Sequence, residues 1–231
     1  MKTLGLLGGM TWHSTVDYYR LINSGIQKRL GGSRSARLLL YSLDFAPIED
    51  LQVKGDWVAL GDLMAEAAAT VERAGAEGLL ICANTMHRLA EDIRRAVSIP
   101  LLHIADAAAA EIKRLGLRKV GLLGTRYTME LDFYRERLEK DHSLSVLIPE
   151  EPGRTEVHDI IYKELGHGLV REESRKAYVR IIEGLRGRGA EGVILGCTEI
   201  PLLVRPQDSP LPVFDTTALH AAAAVDFVLA S

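Results

Sequence analysis

The segment Gly196-Cys197-Thr198-Glu199-Ile200-Pro201 sets a thiol, a hydroxyl and a carboxylate in consecutive positions. The apolar run Val193-Ile194-Leu195 before it reads as a strand, and Pro201 suits the first turn of a helix, where its missing N–H is no loss. A cysteine at such a junction meets unpaired backbone donors and the positive end of a helix dipole, which favour the thiolate. Thr198 is placed to cap the helix. Cys197 therefore reads as reactive; the alternative is the small buried hydrophobe that free cysteines often are.

A second segment, Ile81-Cys82-Ala83-Asn84-Thr85-Met86-His87, has related lettering. Asn84 and Thr85 open the next helix, whose free N–H groups suit a carboxylate, with plain helix capping as the other reading. Strand side chains alternate, so Cys82 and Ala83 are expected on opposite faces, and a buried structural thiol is the default for Cys82 unless a bulge re-aims it. The start Gly5-Leu6-Leu7-Gly8-Gly9-Met10-Thr11 lacks GxGxxG spacing and GK[ST], so it reads as a tight strand-to-helix turn rather than a phosphate cradle. Lys163 falls on a predicted helix over 157–165, where a solvated surface role is usual, while Arg126, after a strand, is better placed to meet an anion. The seven histidines show neither HExxH nor cysteine-coupled spacing, so a metal is not indicated.

The elements that must position these residues alternate along the chain. Short apolar runs at 4–7, 38–43, 79–81, 101–104, 120–123, 144–148, 193–195 and 213–214 read as buried strands. Helical spacing separates them: Val16, Tyr19, Ile22, Ile26 and Leu30, then Trp57, Leu60, Leu63, Met64, Ala67 and Val71, then stretches near 85–97, 130–140 and 218–229. This rhythm predicts an α/β fold with parallel sheets covered on both faces.

The pattern also repeats. Leu4-Gly5-Leu6-Leu7-Gly8 matches Val120-Gly121-Leu122-Leu123-Gly124, Gly75 to Ile81 matches Gly189 to Leu195, and Pro100 to His103 matches Pro212 to Asp215. The offsets are 116, 114 and 112, in the same order, which argues for two copies of one unit. The middle offset sets Ala83 opposite Cys197 and Cys82 opposite Gly196. Two such halves predict pseudo-symmetric, doubly wound parallel-sheet domains with the site in the cleft between them, since ligands bind beyond the carboxyl ends of such strands.

Composition narrows the function classes. The 231 residues carry 31 acidic and 28 basic side chains, a net charge of −3, so no basic surplus favours nucleic acid as partner. At 47% hydrophobic and 26% charged the chain is ordinary globular material. Two cysteines build no disulfide framework, and a reducing, cytoplasmic setting is expected. No apolar run nears the roughly 20 residues of a membrane span.

Gly8-Gly9-Met10-Thr11-Trp12 with Ser14-Thr15 and Tyr18-Tyr19, then Asn84-Thr85-Met86-His87, then Gly196-Cys197-Thr198-Glu199 resemble, in order, the blocks of the aspartate/glutamate racemase family. The chain is most similar to the bacterial branch with broad or acidic amino-acid specificity. The resemblance implies a cofactor-free isomerase, a homodimer, and two α/β domains, the first completed by the C-terminal helix. Domains over 1–100 plus 214–231 and over 101–213 are expected. It further implies racemisation by thiol-based removal and return of the α-proton, with Cys197 as one of two catalytic residues. Asn84, Thr85 and Thr198 would hold the substrate carboxylate, and Met10, Gln52 and Lys163 would line the pocket. The chain departs from the family pattern at Ala83, where the second catalytic residue usually sits; Cys82, a water or Thr85 are the substitutes. Alternatives are a one-cysteine decarboxylase or isomerase of the same superfamily, or a catalytically weakened amino-acid-binding protein.

Overall fold

The computed structural model describes residues 1–230. The first half runs β1 (Thr3–Gly8), α1 (Trp12–Leu30), β2 (Arg37–Ser42), α2 (Phe45–Lys54), α3 (Trp57–Arg73) and β3 (Gly78–Ile81). A tight 3-10 turn (Thr85–Leu89), α4 (Ala90–Ala96), β4 (Leu101–Leu102) and α5 (Ile104–Arg114) follow. The second half runs β5 (Lys119–Gly124), α6 (Arg126–Glu130), α7 (Asp132–Glu136), a π turn (Arg137–Asp141), β6 (Ser145–Leu147), α8 (Gly153–Lys163) and a short 3-10 turn (Leu165–His167). Then come α9 (Glu172–Gly187), β7 (Gly192–Gly196), α10 (Ile200–Leu203), a 3-10 turn (Pro206–Asp208), β8 (Val213–Asp215) and α11 (Thr216–Leu229).

Each half holds one all-parallel four-stranded sheet, ordered β2-β1-β3-β4 and β6-β5-β7-β8. The repeat read from the lettering is thus a repeat of topology. Its glycines have a steric reason. A Cβ on Gly5 would lie 2.2 Å from Val71 Cγ1 of α3, and one on Gly121 would lie 2.8 Å from Leu185 Cδ1 of α9. In both sheets the central strand gives up a side chain so that a helix can settle against it.

Two compact units result: Met1–Ile104 with the chain from His220 onward, and Ala105–Leu219. The crossings fall later than the 100–101 and 213–214 expected. The reason is pairing: β4 joins β3 in the first sheet and β8 joins β7 in the second, so each closing strand stays with the unit before it. The first unit is covered on both faces. Leu7, Leu79, Ile81 and Ala83 pack with α3 through Leu60, Met64, Ala67 and Val71. Leu4, Leu6, Leu80 and Cys82 face Tyr18, Ile22 and Ile26 of α1 and Ala221, Ala224, Val225 and Val228 of α11. In the second unit, Leu123, Val193 and Leu195 pack with Val157, Ile160 and Ile161 of α8 and Tyr178, Ile182 and Leu185 of α9.

Local chemistry sets several ends. Asp44, Asp56 and Thr125 cap α2, α3 and α6 by accepting from Ala46, Ala59 and Thr128 N–H. Helix α1 departs from its expected face. Ser14, Thr15, Tyr18, Ile22 and Ile26 are buried, while Val16, Tyr19 and Leu30 are exposed. Polar residues can take inward positions here because they are hydrogen-bonded: Thr15 Oγ1 accepts from Gly9 N–H at 2.8 Å. The predicted helix over 85–97 is divided into the 3-10 turn and α4, and the strand over 101–104 is cut to two residues because α5 starts at Ile104.

Candidate active site

Cys197 follows β7, partly exposed, with its sulfur against the core that contains Tyr178 and Leu195. Its Sγ donates to Glu199 Oε2 at 2.9 Å, and Thr198 Oγ1 donates to the same oxygen at 2.7 Å. The carboxylate therefore gathers both protons of its neighbours. Burial, then the Glu199 charge and its hydrogen bond, hold the Cys197 thiol well above the usual cysteine range, while the backbone N–H groups of Glu199 and Thr198 pull the other way.

This reverses the expectation of a stabilised thiolate. The helix that was to supply the dipole has only four residues, and its N-cap is Glu199 rather than Thr198, with no side-chain cap bond. A full negative charge beside the sulfur outweighs the partial charges of two amides. Glu199 is the residue that sequence reasoning left without a role. Its signal was available: a carboxylate two positions after a cysteine, in a turn, can fold back onto the thiol. Gly196, just before the thiol, lets the end of β7 lie close against β5: a Cβ there would lie 2.9 Å from Leu123 O.

In the first unit the strand alternation continues past β3. Ala83 joins the core of Leu79 and Ile81, the face that corresponds to Cys197 with Val193 and Leu195. Cys82 points to the opposite face, fully buried between the sheet and α1 and α11, and burial alone pushes its thiol far above the usual range. Asn84 is buried at the head of the 3-10 turn, where its side chain makes no capping bond, and Thr85 is partly exposed beside it. Met10 shares the core of Ala83 and Met86, and Gln52 of α2 donates its side-chain N–H to Met86 Sδ at 3.2 Å. Met10, Ala83 and Met86 thus belong to one core, to which Gln52 is tied through Met86.

Lys163, at the end of α8, is largely exposed and pairs with Asp159 at 2.9 Å. Arg126 opens α6; its backbone N–H donates to His158 Nδ1 at 3.2 Å and its side chain is half exposed. Burial first, and then the Arg126 charge, hold His158 below the usual imidazole range. Among the described residues no three His, Cys, Asp or Glu side chains are grouped so as to hold a metal ion, and no helix is long and apolar enough to cross a membrane.

Comparison with known proteins places this geometry in a family. The chain is similar to the broad specificity amino-acid racemase RacX of Bacillus subtilis, 24% identical over 232 residues and 98% of each chain. Among solved structures it is similar to a Yersinia pestis protein described as a candidate Asp/Glu racemase, with 53% identity and a TM-score of 0.95 over 100% of each chain. It is also similar to an aspartate racemase homologue from Pyrococcus horikoshii OT3, with 36% identity and a TM-score of 0.84 over 99% of each chain. The family model for Asp/Glu/Hydantoin racemase matches residues 7–224, and the chain belongs to that family.

Proposed function

We propose that this chain is an amino-acid racemase that works without a cofactor, on acidic amino acids or a broader set, by proton transfer through Cys197. The observation that carries the reading is the position of Cys197, a partly exposed residue at the carboxyl end of β7 whose thiol is hydrogen-bonded to the Glu199 carboxylate. An amino-acid α-proton is very weakly acidic, so its removal needs a strong base and stabilisation of the charge that moves onto the carboxylate. In our scheme the thiolate form of Cys197 takes the α-proton, and the substrate becomes an enolate-like carbanion. Asn84, Thr85 and Thr198 hold its carboxylate. Lys163 meets an acidic side chain by leaving Asp159, an exposed pair that costs little to break. Return of a proton to the other face completes inversion.

Ala83 has no proton to give, and Cys82 is buried on the far side of the sheet, so the second face falls to water or to the Thr85 hydroxyl. Ala83 also favours a second reading, a one-cysteine enzyme that protonates a single face, such as a decarboxylase. A homodimer in the cytoplasm suits either; Trp12, Val16 and Tyr19 form an exposed apolar stripe on α1 that a second copy could cover.

Incubation with L- and D-aspartate, glutamate and neutral amino acids in D2O separates these readings. Exchange at the α-carbon with inversion supports the racemase. Exchange with retention supports a single working face, and no exchange with any amino acid sinks the racemase. Cys197→Ser should lower the exchange by about 100-fold or more, in line with the usual worth of a general base. Ala83→Cys should raise turnover if the second face is the slow one.

A further inference from the structure

His87, in the 3-10 turn after β3, is 2% exposed and makes two bonds that fix its tautomer. Its Nδ1 lies 2.8 Å from the carbonyl oxygen of Ala83, which can only accept, so Nδ1 carries the proton. Its Nε2 lies 3.2 Å from the backbone nitrogen of Ile104, which can only donate, so Nε2 is the bare acceptor. One neutral imidazole thus ties the end of β3 to the head of α5. Around it the rings of His103 and His220 stand edge-on, with centroids 4.6 and 5.5 Å away. His220 is locked in the other tautomer: its Nε2 donates to Leu102 O at 3.0 Å, and its Nδ1 accepts from Tyr18 Oη at 2.9 Å.

The Ala83 carbonyl and the Asn84 N–H belong to one trans peptide plane. A bond that fixes the carbonyl therefore fixes the direction of the Asn84 N–H, which points the opposite way. We propose that His87 is a positioning residue: its Nδ1–H holds the 83–84 peptide so that Asn84 and Thr85 present their donors to the substrate carboxylate. This rests on the reading of those two residues as carboxylate holders. His87 itself touches no substrate; it acts through the backbone, and the Ile104 bond serves only to keep the ring in place.

Two substitutions pull the bonds apart. Asparagine places an amide N–H where Nδ1 stood, so H87N keeps the Ala83 bond and loses the Ile104 bond. Glutamine reaches the Nε2 position, so H87Q keeps the Ile104 bond and loses the Ala83 bond. H87F loses both. The expected result is that H87Q and H87F raise KM by about ten-fold, the usual worth of one hydrogen bond, with little change in kcat. H87N should restore most of that loss even where its melting temperature matches that of H87Q. Equal KM for H87N and H87Q, or activity that simply follows melting temperature, overturns the proposal.

Amide hydrogen exchange over residues 83–86 gives a readout that needs no substrate. Exchange there should be equally slow in the wild type and H87N and faster in H87Q and H87F. Equal exchange in all four chains overturns the positioning role, whatever the enzyme does. Absence of α-proton exchange by the wild type, with the protection pattern intact, sinks the racemase reading and leaves His87 holding the loop.

Discussion

Cys197 and Glu199 stand two residues apart, joined by a hydrogen bond from the thiol to the carboxylate, and that charge helps set when the thiol can act as a base. Burial and the neighbouring carboxylate hold the thiol above its usual range, so the thiolate grows as pH rises. A reaction that needs the thiolate should therefore show kcat/KM rising with pH toward the alkaline side. Glu199→Gln removes a negative charge from beside the sulfur and should move that rise to lower pH. Alkylation of the native protein by iodoacetamide reads the same titration directly. Cys82 is sealed in the core, so the modification rate reports Cys197 alone. A rise that stays put, or moves to higher pH, in Glu199→Gln would show that the carboxylate does not govern the thiol. The place of Cys197 just past β7 was legible in the sequence because the apolar run before it reads as a strand. The direction of its titration was not, since it depends on how a turn folds a side chain two residues on.

At the scale of elements, the turn from β1 into α1 shows how tightly the loops beyond the strands are specified. Gly9 has φ +92°, and a Cβ there would lie 2.0 Å from the backbone oxygen of Leu43. Gly31, which ends α1, also has positive φ (+72°) but has nothing within 4 Å of its Cβ position. Alanine at either site incurs the backbone strain of about 1–2 kcal/mol, and only at Gly9 does it also strike backbone that cannot step aside. Denaturant unfolding should therefore rank Gly9→Ala well below Gly31→Ala, whose loss should stay at the backbone strain alone, about 1–2 kcal/mol. Equal losses would mean that the β1–α1 turn relaxes freely. Elements of this kind were only half legible. Strands came through because short apolar runs bounded by glycine have one common use in a parallel sheet. The inward face of α1 did not, because Val16 and Tyr19 are apolar and exposed, whereas Ser14 and Thr15 are polar and buried. Periodicity weighs side chains by polarity and cannot see that the Gly9 N–H supplies the bond that lets Thr15 turn inward. The 3-10 turn at Thr85–Leu89 escaped for a like reason: the Ala83–His87 and His87–Ile104 bonds that shape it reach up to 17 residues along the chain.

For the whole molecule, the repeat carried more than any single element. Blocks near offset 114 foretold two sheets of identical strand order, since a duplicated run of strands must pair in a duplicated way. What the repeat could not show is where the chain leaves one unit for the other, because that depends on the partners of β4 and β8. The return of the chain has an energetic consequence. From His220 on, α11 supplies Ala221, Ala224, Val225 and Val228 to the face of the first sheet that α1 also covers. Val225 is 2% exposed and stands against the helix at Gly25, where a Cβ would lie 2.6 Å from its Cγ2. A carboxylate there has no partner, and its burial costs several kcal/mol. Val225→Asp should therefore unfold the first unit early while the second core, built from α8, α9 and its own sheet, keeps its packing. Both tryptophans, Trp12 and Trp57, lie in the first unit, so fluorescence follows that unit alone and far-ultraviolet circular dichroism follows the two together. In a denaturant titration of Val225→Asp the fluorescence midpoint should drop below the dichroism midpoint, and the dichroism should retain a second step. A single shared transition, shifted as one, would mean that α11 stabilises both units alike.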